Sequence, residues 1–388
     1  MKEEFKEKAC AQIDRHAAEL IAISKRLHAH PETRFKEYKA SAWICEFLEK
    51  HEFKVEKGIG GLETAFKAEH RNISPGKKVA FLAEYDALPE LGHACGHNLI
   101  AGASVGALLA FKDIKRDLPG AVLLFGTPGE EGGGGKIKML AQNLFSGCDA
   151  ALMFHPACFT TMYPATLALA EVVIVFSGKS SHAAANPDCG INALDGVLQT
   201  FSAINALRGY LRSDARIHGV ITKGGECHNV IPAVAEAIFA IRAKDSAYVD
   251  FLVERLRQCA EGAALASGAE VTLRVLGRRK ELRTNRNLAL IFTRNLIKLK
   301  EKPKKGIVRP FSTDMGDVSQ VIPSIHPVIA ICDSSVGLHT KEFAAAAGSE
   351  RGYRVMITAA KALAMTAIDL LMNGATNPKK IAFLSFCK

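Results

Sequence analysis

Residues 85–98, YDALPELGHACGHN, crowd an acid, Asp86, together with His93, Cys95 and His97. A thiolate and imidazoles bind borderline divalent cations, and zinc takes both. Gly96 separates Cys95 from His97 and lets the backbone bend between them. Two neighbouring ligands do not complete a site, so further donors must come from elsewhere in the chain. Taken alone, the stretch fits a buried structural cysteine beside two surface histidines equally well.

Other segments offer those donors. Residues 126–136, GTPGEEGGGGK, set Glu130 beside Glu131 ahead of a run of glycines. Adjacent carboxylates at a sheet edge are costly unless a cation or proton separates them. If the segment is extended, the two side chains point opposite ways, one to a metal and one to a substrate. A solvated acidic turn is the simpler alternative. His155 follows the apolar run 150–154, and His339 follows the strand predicted over 326–332. A lone histidine at a strand end is usually structural. Cys/His, Glu-Glu and His at three successive strand ends form a far more specific pattern.

The elements that must hold these residues can be read from hydrophobic periodicity. Residues 78–84 and 121–126 are apolar, β-favouring runs and predict buried strands, each opening onto one of the clusters. Residues 99–112 are rich in Ala, Leu and Gly and predict a tightly packed helix. Open α/β sheets place their sites at such strand ends. One helix is predicted over 5–30, ending at Pro31, and another over 37–50. His28, His30 and His51 lack other ligand types nearby and read as surface or capping residues.

The pattern changes near Leu169. Strands over 172–176, 217–222, 235–242 and 270–275, with helices over 192–211 and 249–265, spell β-α-β-β-α-β, a ferredoxin-like order. It stands as an insertion in a larger α/β domain that resumes after Leu282, with helices over 287–298 and 354–372. The expected domains are 1–168, 169–281 and 282–388, the first and last forming one catalytic domain.

The chain has 388 residues, 48% of them hydrophobic, and a mean hydropathy of +0.08, enough for two domains. No apolar run reads as membrane-spanning, and the charged N-terminal helix does not read as a signal peptide. Ten cysteines without regular spacing read as reduced thiols, so a cytoplasmic location is expected. The formal charge is +10, with basic residues gathered at 278–280, 298–305 and 379–380. These lack interleaved aromatics, so a solvated surface is expected, with neither a nucleic acid nor a membrane as partner. Residues 132–135 are not a phosphate loop, because no Lys-Ser/Thr follows them.

Together the motifs resemble the aminoacylase-1 and glutamate-carboxypeptidase-like metallopeptidases, in their amidohydrolase branch. The chain is most similar there to β-alanyl-lysine (Xaa-Arg) dipeptidases and aminobenzoyl-glutamate hydrolases. The resemblance rests on the segments at 86–98, 126–136 and 154–156, on GKSSHAAANP at 178–187 and on NVIP at 229–232. It continues in STDMGDVS at 312–319 and in LHT and EFAAAAG within 338–348.

The resemblance implies a mixed-sheet, zinc-peptidase-like catalytic domain with an inserted lid and dimerisation domain. It implies two divalent ions per subunit, Zn²⁺ or Mn²⁺, on Cys95, His97, Glu131, His155 and His339. Glu130 falls on the general-base position, and Asp86 on an acid that orients a ligand from behind. His182 falls on a lid histidine that reaches the other subunit's site in a homodimer. Asn229 falls on a substrate-associated asparagine, and Arg242 on a candidate carboxylate partner.

The implied activity is hydrolysis of the amide bond in a dipeptide or N-acyl amino acid, of Xaa-Lys or Xaa-Arg type. An aminobenzoyl-glutamate or other N-acyl-amino-acid amidohydrolase is the alternative, and a non-catalytic metal-binding protein of the same fold stands further off. Asn98 and Gly129 depart from the commoner Asp and Ala of the branch; neither change is expected to remove a ligand.

Overall fold

The computed structural model describes residues 1–71, 74–114, 118–303 and 310–372. It divides into two compact units. Unit 1 comprises the described residues within Met1–Ala165, Arg283–Arg309 and Asp317–Lys388; unit 2 comprises Thr166–Leu282 and Pro310–Gly316.

Unit 1 begins with α1 (Lys2–Arg15) and α2 (Ala17–Ala29), separated at His16 (φ −101°, ψ 9°). The sequence predicts one helix here. The buried residues explain the difference: Phe5, Ala9, Gln12 and Ile13 continue as Leu20, Ile23, Ser24 and Leu27, so the apolar stripe runs through the break. Next comes α3 (Tyr38–Lys50), which buries Ile44, Cys45 and Leu48. Strands β1 (Lys54–Lys57) and β2 (Phe66–Arg71) lead to β3 (Lys78–Ala83).

The sheet of unit 1 continues with β4 (Ala121–Gly126), β5 (Ala150–Leu152) and β13 (Ser324–Ile325), in the order β1-β2-β4-β3-β5-β13. It is mixed: β3 is parallel to β4 and β5, and β2 is antiparallel to β4. Every residue of β4 is buried, as strands covered on both faces require. A separate parallel pair joins β6 (His155–Ala157) to β14 (Val328–Ala330), so the strand predicted over 326–332 is shorter than expected and pairs outside the main sheet.

Behind the sheet, α4 (His97–Leu109) is buried along its whole length. It packs on α12 (Glu350–Met372), and Gly106 permits the approach: a Cβ there would lie 3.0 Å from Leu20 and 3.1 Å from Ala360. The sequence reading found no membrane-length segment, yet α12 is long and apolar enough to cross one. Its apolar residues, among them Val355, Met356, Leu363 and Ile368, instead join the core of unit 1. Full burial of such side chains stabilises the fold by roughly 1.5–3 kcal/mol each. The remaining elements are α5 (Glu130–Gly133), α6 (Gly135–Ala141), α9 (Arg286–Lys298), α10 (Met315–Ser319) and α11 (Lys341–Ala347).

Unit 2 runs β7 (Ala168–Ser177), β8 (Ser181–His182), α7 (Ala193–Leu207), β9 (Arg216–Lys223), β10 (Val230–Ile231), β11 (Val234–Ala243), α8 (Ser246–Ser267) and β12 (Glu270–Arg279). Its main sheet is antiparallel, in the order β12-β7-β11-β9. Strand β11 alternates strictly, burying Ala235, Ala237, Phe239, Ile241 and Ala243. Asn192 and Asp245 cap the two helices, accepting from the backbone N–H groups of Leu194 and Tyr248. Short β8 and β10 form their own antiparallel ribbon. The basic residues at 304–305 and 379–380 lie outside the described residues.

Candidate metal centre

In unit 1, the end of β3 leads through Glu84, Tyr85 and Asp86 to the Cys95 loop. Gly96 adopts φ +75°, and a Cβ there would lie 2.5 Å from the Pro156 ring. Only glycine lets the Cys95–His97 turn approach the His155-Pro156 segment this closely. His339 adopts φ +60°, rare for a residue with a Cβ, and its N–H donates to Ala94 O at 3.0 Å. That bond ties the His339 loop to the residue before Cys95.

The donors converge. Cys95 Sγ lies 3.2 Å from His339 Nε2. Glu131 Oε1 lies 3.6 Å from His339 Nε2 and 4.0 Å from His97 Nε2. Ligand atoms of Cys95, His97 and His155 lie within 4.8 Å of one another, as do those of Cys95, Glu131 and His339, and those of His97, Glu130 and Glu131. Cys95, Glu130 and His155 are each 9% exposed, and His97 is fully buried.

One expectation is corrected here. Glu130 and Glu131 do not alternate across an extended segment. Gly129 takes φ +70° and the chain enters the short α5, so both carboxylates turn toward His97. A Cβ on residue 129 would meet the Phe35 ring at 2.7 Å, which accounts for glycine there. The second departure also leaves the site intact. Asn98 is buried and donates to Ser24 Oγ and Ala347 O, both at 3.0 Å.

Asp86 organises the centre from behind. Its Oδ1 meets His97 Nδ1 at 2.9 Å, and its Oδ2 accepts from the Glu131 N–H at 2.8 Å. Burial disfavours both charges, but the His97 ring and the Glu131 amide hold the Asp86 carboxyl below its usual range. Asp86 in turn raises His97 well above the ordinary imidazole range despite burial. The Asp86 contact fixes a proton on Nδ1 and turns Nε2 toward Glu84 and Glu131. His155 has the same arrangement: Nδ1 donates to Pro156 O at 2.7 Å, and burial holds the ring neutral, at about 4.

The residues fit a divalent cation. His97 Nε2, Glu131 Oε1 and Glu84 Oε2 are buried without a hydrogen-bond partner, and they face one another. Burial and then Glu131 push the Cys95 thiol well above its usual range. A divalent ion reverses that balance and favours the thiolate. Imidazoles, a thiol and carboxylates are the donor set that zinc and its neighbours take once the cation has displaced the protons on their ligand atoms.

His93, counted with this cluster from its spacing, turns away. Its Nε2 lies 3.1 Å from Leu27 O, and burial pushes it down to about 3. His28 reaches Ala344 O, His30 ends α2, and His51 ends α3 but is buried rather than on the surface.

Periodicity offers no signal for three further buried residues. Lys136 pairs with Glu84 at 2.5 Å, both fully buried, and Glu84 Oε2 stands 3.5 Å from His97 Nε2. Glu37 is fully buried and accepts from Gly129 N–H at 2.9 Å, Phe35 N–H at 2.8 Å and Thr64 Oγ1 at 2.9 Å. It thus holds the residue that precedes Glu130. The acid-before-turn spacing of Glu84 and the lysine closing 126–136 are the available hints.

Unit 2 carries the other predicted residues. His182 pairs with Val230 across the β8/β10 ribbon, beside Asn229, whose carbonyl accepts from Ala183 N–H. Both are exposed. His182 Nδ1 accepts from the backbone N–H groups of Ala184 and Ala185, at 3.2 and 3.1 Å. The ring proton therefore sits on Nε2, which is a donor. Arg242 is half-buried and donates to Ser312 Oγ at 2.8 Å.

A family model, Peptidase family M20/M25/M40, matches residues 80–362. Mouse (Mus musculus) Xaa-Arg dipeptidase is 35% identical over 96% of this chain and 90% of its own length. One of the chains that make up p-aminobenzoyl-glutamate hydrolase in Escherichia coli K12 is 36% identical over 65% of this chain and 56% of its own length. Among solved structures, an aminohydrolase of methicillin-resistant Staphylococcus aureus superposes with a TM-score of 0.81 at 19% identity, covering 94% of this chain and 100% of that one. A dinuclear metal-binding peptidase of Bacillus subtilis superposes at 0.72 and 20% identity, covering 92% and 99%. At such identities the structures speak for the fold.

Proposed function

Because the chain belongs to peptidase family M20/M25/M40, we propose that it is a metal-dependent hydrolase of the amide bond in a dipeptide or N-acyl amino acid. The observation that carries the reading is the meeting of Cys95, His97, Glu131, His155 and His339 beside Glu130. Xaa-Arg and Xaa-Lys dipeptides are the first candidates, on the strength of a relative matched over nearly its whole length. Aminobenzoyl-glutamate is the second, at similar identity over a shorter span.

Cys95, His97, Glu131, His155 and His339 would hold two divalent ions. Such ions lower the pKa of a shared water and polarise the scissile carbonyl. The thiol favours Zn²⁺, whereas the imidazoles and carboxylate accept Mn²⁺ equally. Asp86 fixes the His97 tautomer and, through the Glu131 amide, the course of the acidic loop. Glu130 takes the proton of the attacking water and passes it to the departing amine nitrogen. His182, with its proton on Nε2, donates to the oxyanion. Asn229 and Arg242 bind the remainder of the substrate.

We assign unit 2 the role of lid and dimerisation domain. Support comes from β9, an edge strand of its sheet, which exposes Val220 (60%) and Ile221 (37%). Unpaired apolar edges are commonly covered by a second chain. If His182 serves the partner's site, a monomeric variant loses turnover, measured by sedimentation alongside kinetics. A cytoplasmic location accords with nine free cysteines among the described residues.

The deciding experiment is amine release from a panel of β-alanyl and α-aminoacyl dipeptides, N-acyl amino acids and aminobenzoyl-glutamate. It uses protein stripped of metal and reloaded with Zn²⁺ or Mn²⁺. Metal-dependent cleavage of one class identifies the branch. Bound metal with no cleavage of any class overturns the reading.

A further inference from the structure

A second group of metal-type donors sits elsewhere in unit 1 and shares no residue with the centre above. His16, at the junction of α1 and α2, presents Nδ1 2.9 Å from Glu19 Oε1. His51, at the end of α3, presents Nε2 3.5 Å from Glu19 Oε2. The two imidazole rings meet edge to face with centroids 4.9 Å apart, and the Phe47 ring centroid lies 4.5 Å from that of His51. All three ligand atoms fall within 4.8 Å of one another.

His51 supplies the independent observation. It is only 7% exposed, and its buried Nε2 has no hydrogen-bond partner. Leaving such an atom unsatisfied costs on the order of 1–3 kcal/mol. The atom is aimed at the Glu19 carboxylate, yet too far from it for a sound hydrogen bond. Burial lowers the basicity of His51, so the ring is neutral at neutral pH. Hydrogen bonds from Lys50 and His16 hold Glu19 ionised, at about 2. These are the protonation states in which both groups bind metal.

We propose that His16, Glu19 and His51 form an additional cation site that takes a borderline divalent ion such as Zn²⁺ and clips the start of α2 to the end of α3. Two imidazoles and a carboxylate are a known zinc set. Bonds of about 2.0–2.1 Å in a tetrahedron place neighbouring donors ~3.3 Å apart, close to the spacings on either side of Glu19. Water completes the coordination. Two groups compete with the cation: Lys50 Nζ, 2.7 Å from Glu19 Oε2, whose side chain is 69% exposed and can swing into solvent, and the proton that His16 Nδ1 shares with Glu19, which binding displaces.

The test counts metal on the whole chain. Wild type, His16→Ala and His51→Gln are stripped with a chelator, reloaded with Zn²⁺ and desalted, and bound zinc is measured by mass spectrometry. The proposal expects wild type to hold one equivalent more than either variant, with turnover of the metal-loaded enzyme unchanged within about twofold. Equal zinc in wild type and His16→Ala overturns it, whatever the total held by the Cys95 centre. His16 is partly exposed, so its variant keeps the test valid if His51→Gln fails to fold. With Co²⁺ in place of Zn²⁺, a visible-band difference between wild type and His16→Ala supports the site, and superimposable spectra count against it.

Discussion

The two units distribute their polar chemistry in opposite ways. In unit 1, charged and polar groups lie beneath the surface: Glu37, Glu84, Asp86, His97 and Lys136 are 1% exposed or less. In unit 2 the buried interior is mainly aliphatic and aromatic, with Thr200, Thr313 and Asp314 among its buried polar exceptions, and its functional candidates His182 and Asn229 stand in solvent. A buried ion is expensive unless it is paired, hydrogen-bonded or bound to metal. The contrast teaches where the fold tolerates cost for chemistry: unit 1 carries preorganised charge, whereas unit 2 carries a regular sheet that presents a few groups at its margin.

That contrast can be broken at several points. The largest effect is expected for Glu130→Gln, which should lower turnover on the order of 10²- to 10⁴-fold while metal content stays unchanged. Parallel kinetics and metal analysis check it, and near-normal turnover would remove Glu130 from its role. Lys136→Met leaves Glu84 buried and unpaired and should cost roughly 3–5 kcal/mol of stability, read from urea denaturation. His182→Ala should lower turnover by about 10²- to 10³-fold, the effect of losing an oxyanion donor. Because His182 is exposed, the urea midpoint should not move; a lost midpoint would mean that unit 2 depends on the ring for folding.

Glu37 sharpens the comparison through pH. Burial first, and then the nearby Asp86 charge, push its carboxyl up to about 7 from an ordinary 4.5. The folded state then holds a proton that the unfolded state has released between those values. Stability contributed by this group is therefore full below pH 4.5 and is lost as pH rises through 7. The total change is about 3 kcal/mol at 1.36 kcal/mol per pH unit. Glu37→Gln should flatten that slope, because the amide keeps an oxygen for the Gly129 and Phe35 N–H groups and an NH₂ for Thr64. Denaturation curves at pH 4, 6 and 8 for both proteins give the answer; parallel pH dependences would show that Glu37 is ionised throughout.

Much of this is legible in the sequence, unevenly. Unit 2 is readable because β7 and β11 bury alternate residues or continuous apolar runs, and Asn192 and Asp245 mark helix starts. The candidate donors Cys95, His97, Glu131 and His155 are readable because they follow strong strand signals. The misreadings share a cause: backbone conformation set by distant packing. Gly129 is left-handed against the Phe35 ring, which no local pattern reveals, so Glu130 and Glu131 look extended in sequence and are not. The apolar stripe crosses His16 without interruption, which hides the break between α1 and α2. His93 carries the same letter as the histidines of the candidate centre; only the direction of its ring separates it. Glu37 and Lys136 lie far in sequence from their partners, Gly129 and Glu84, and spacing cannot report such pairings.

The His182 imidazole receives its orienting bonds from two peptide groups rather than from another side chain. Substitutions at Ala184 and Ala185 can therefore accumulate over generations without disturbing the position of its proton. Proline alone would silence either amide. A lineage that drifts freely at both alanines yet never admits proline would carry the imprint of this arrangement.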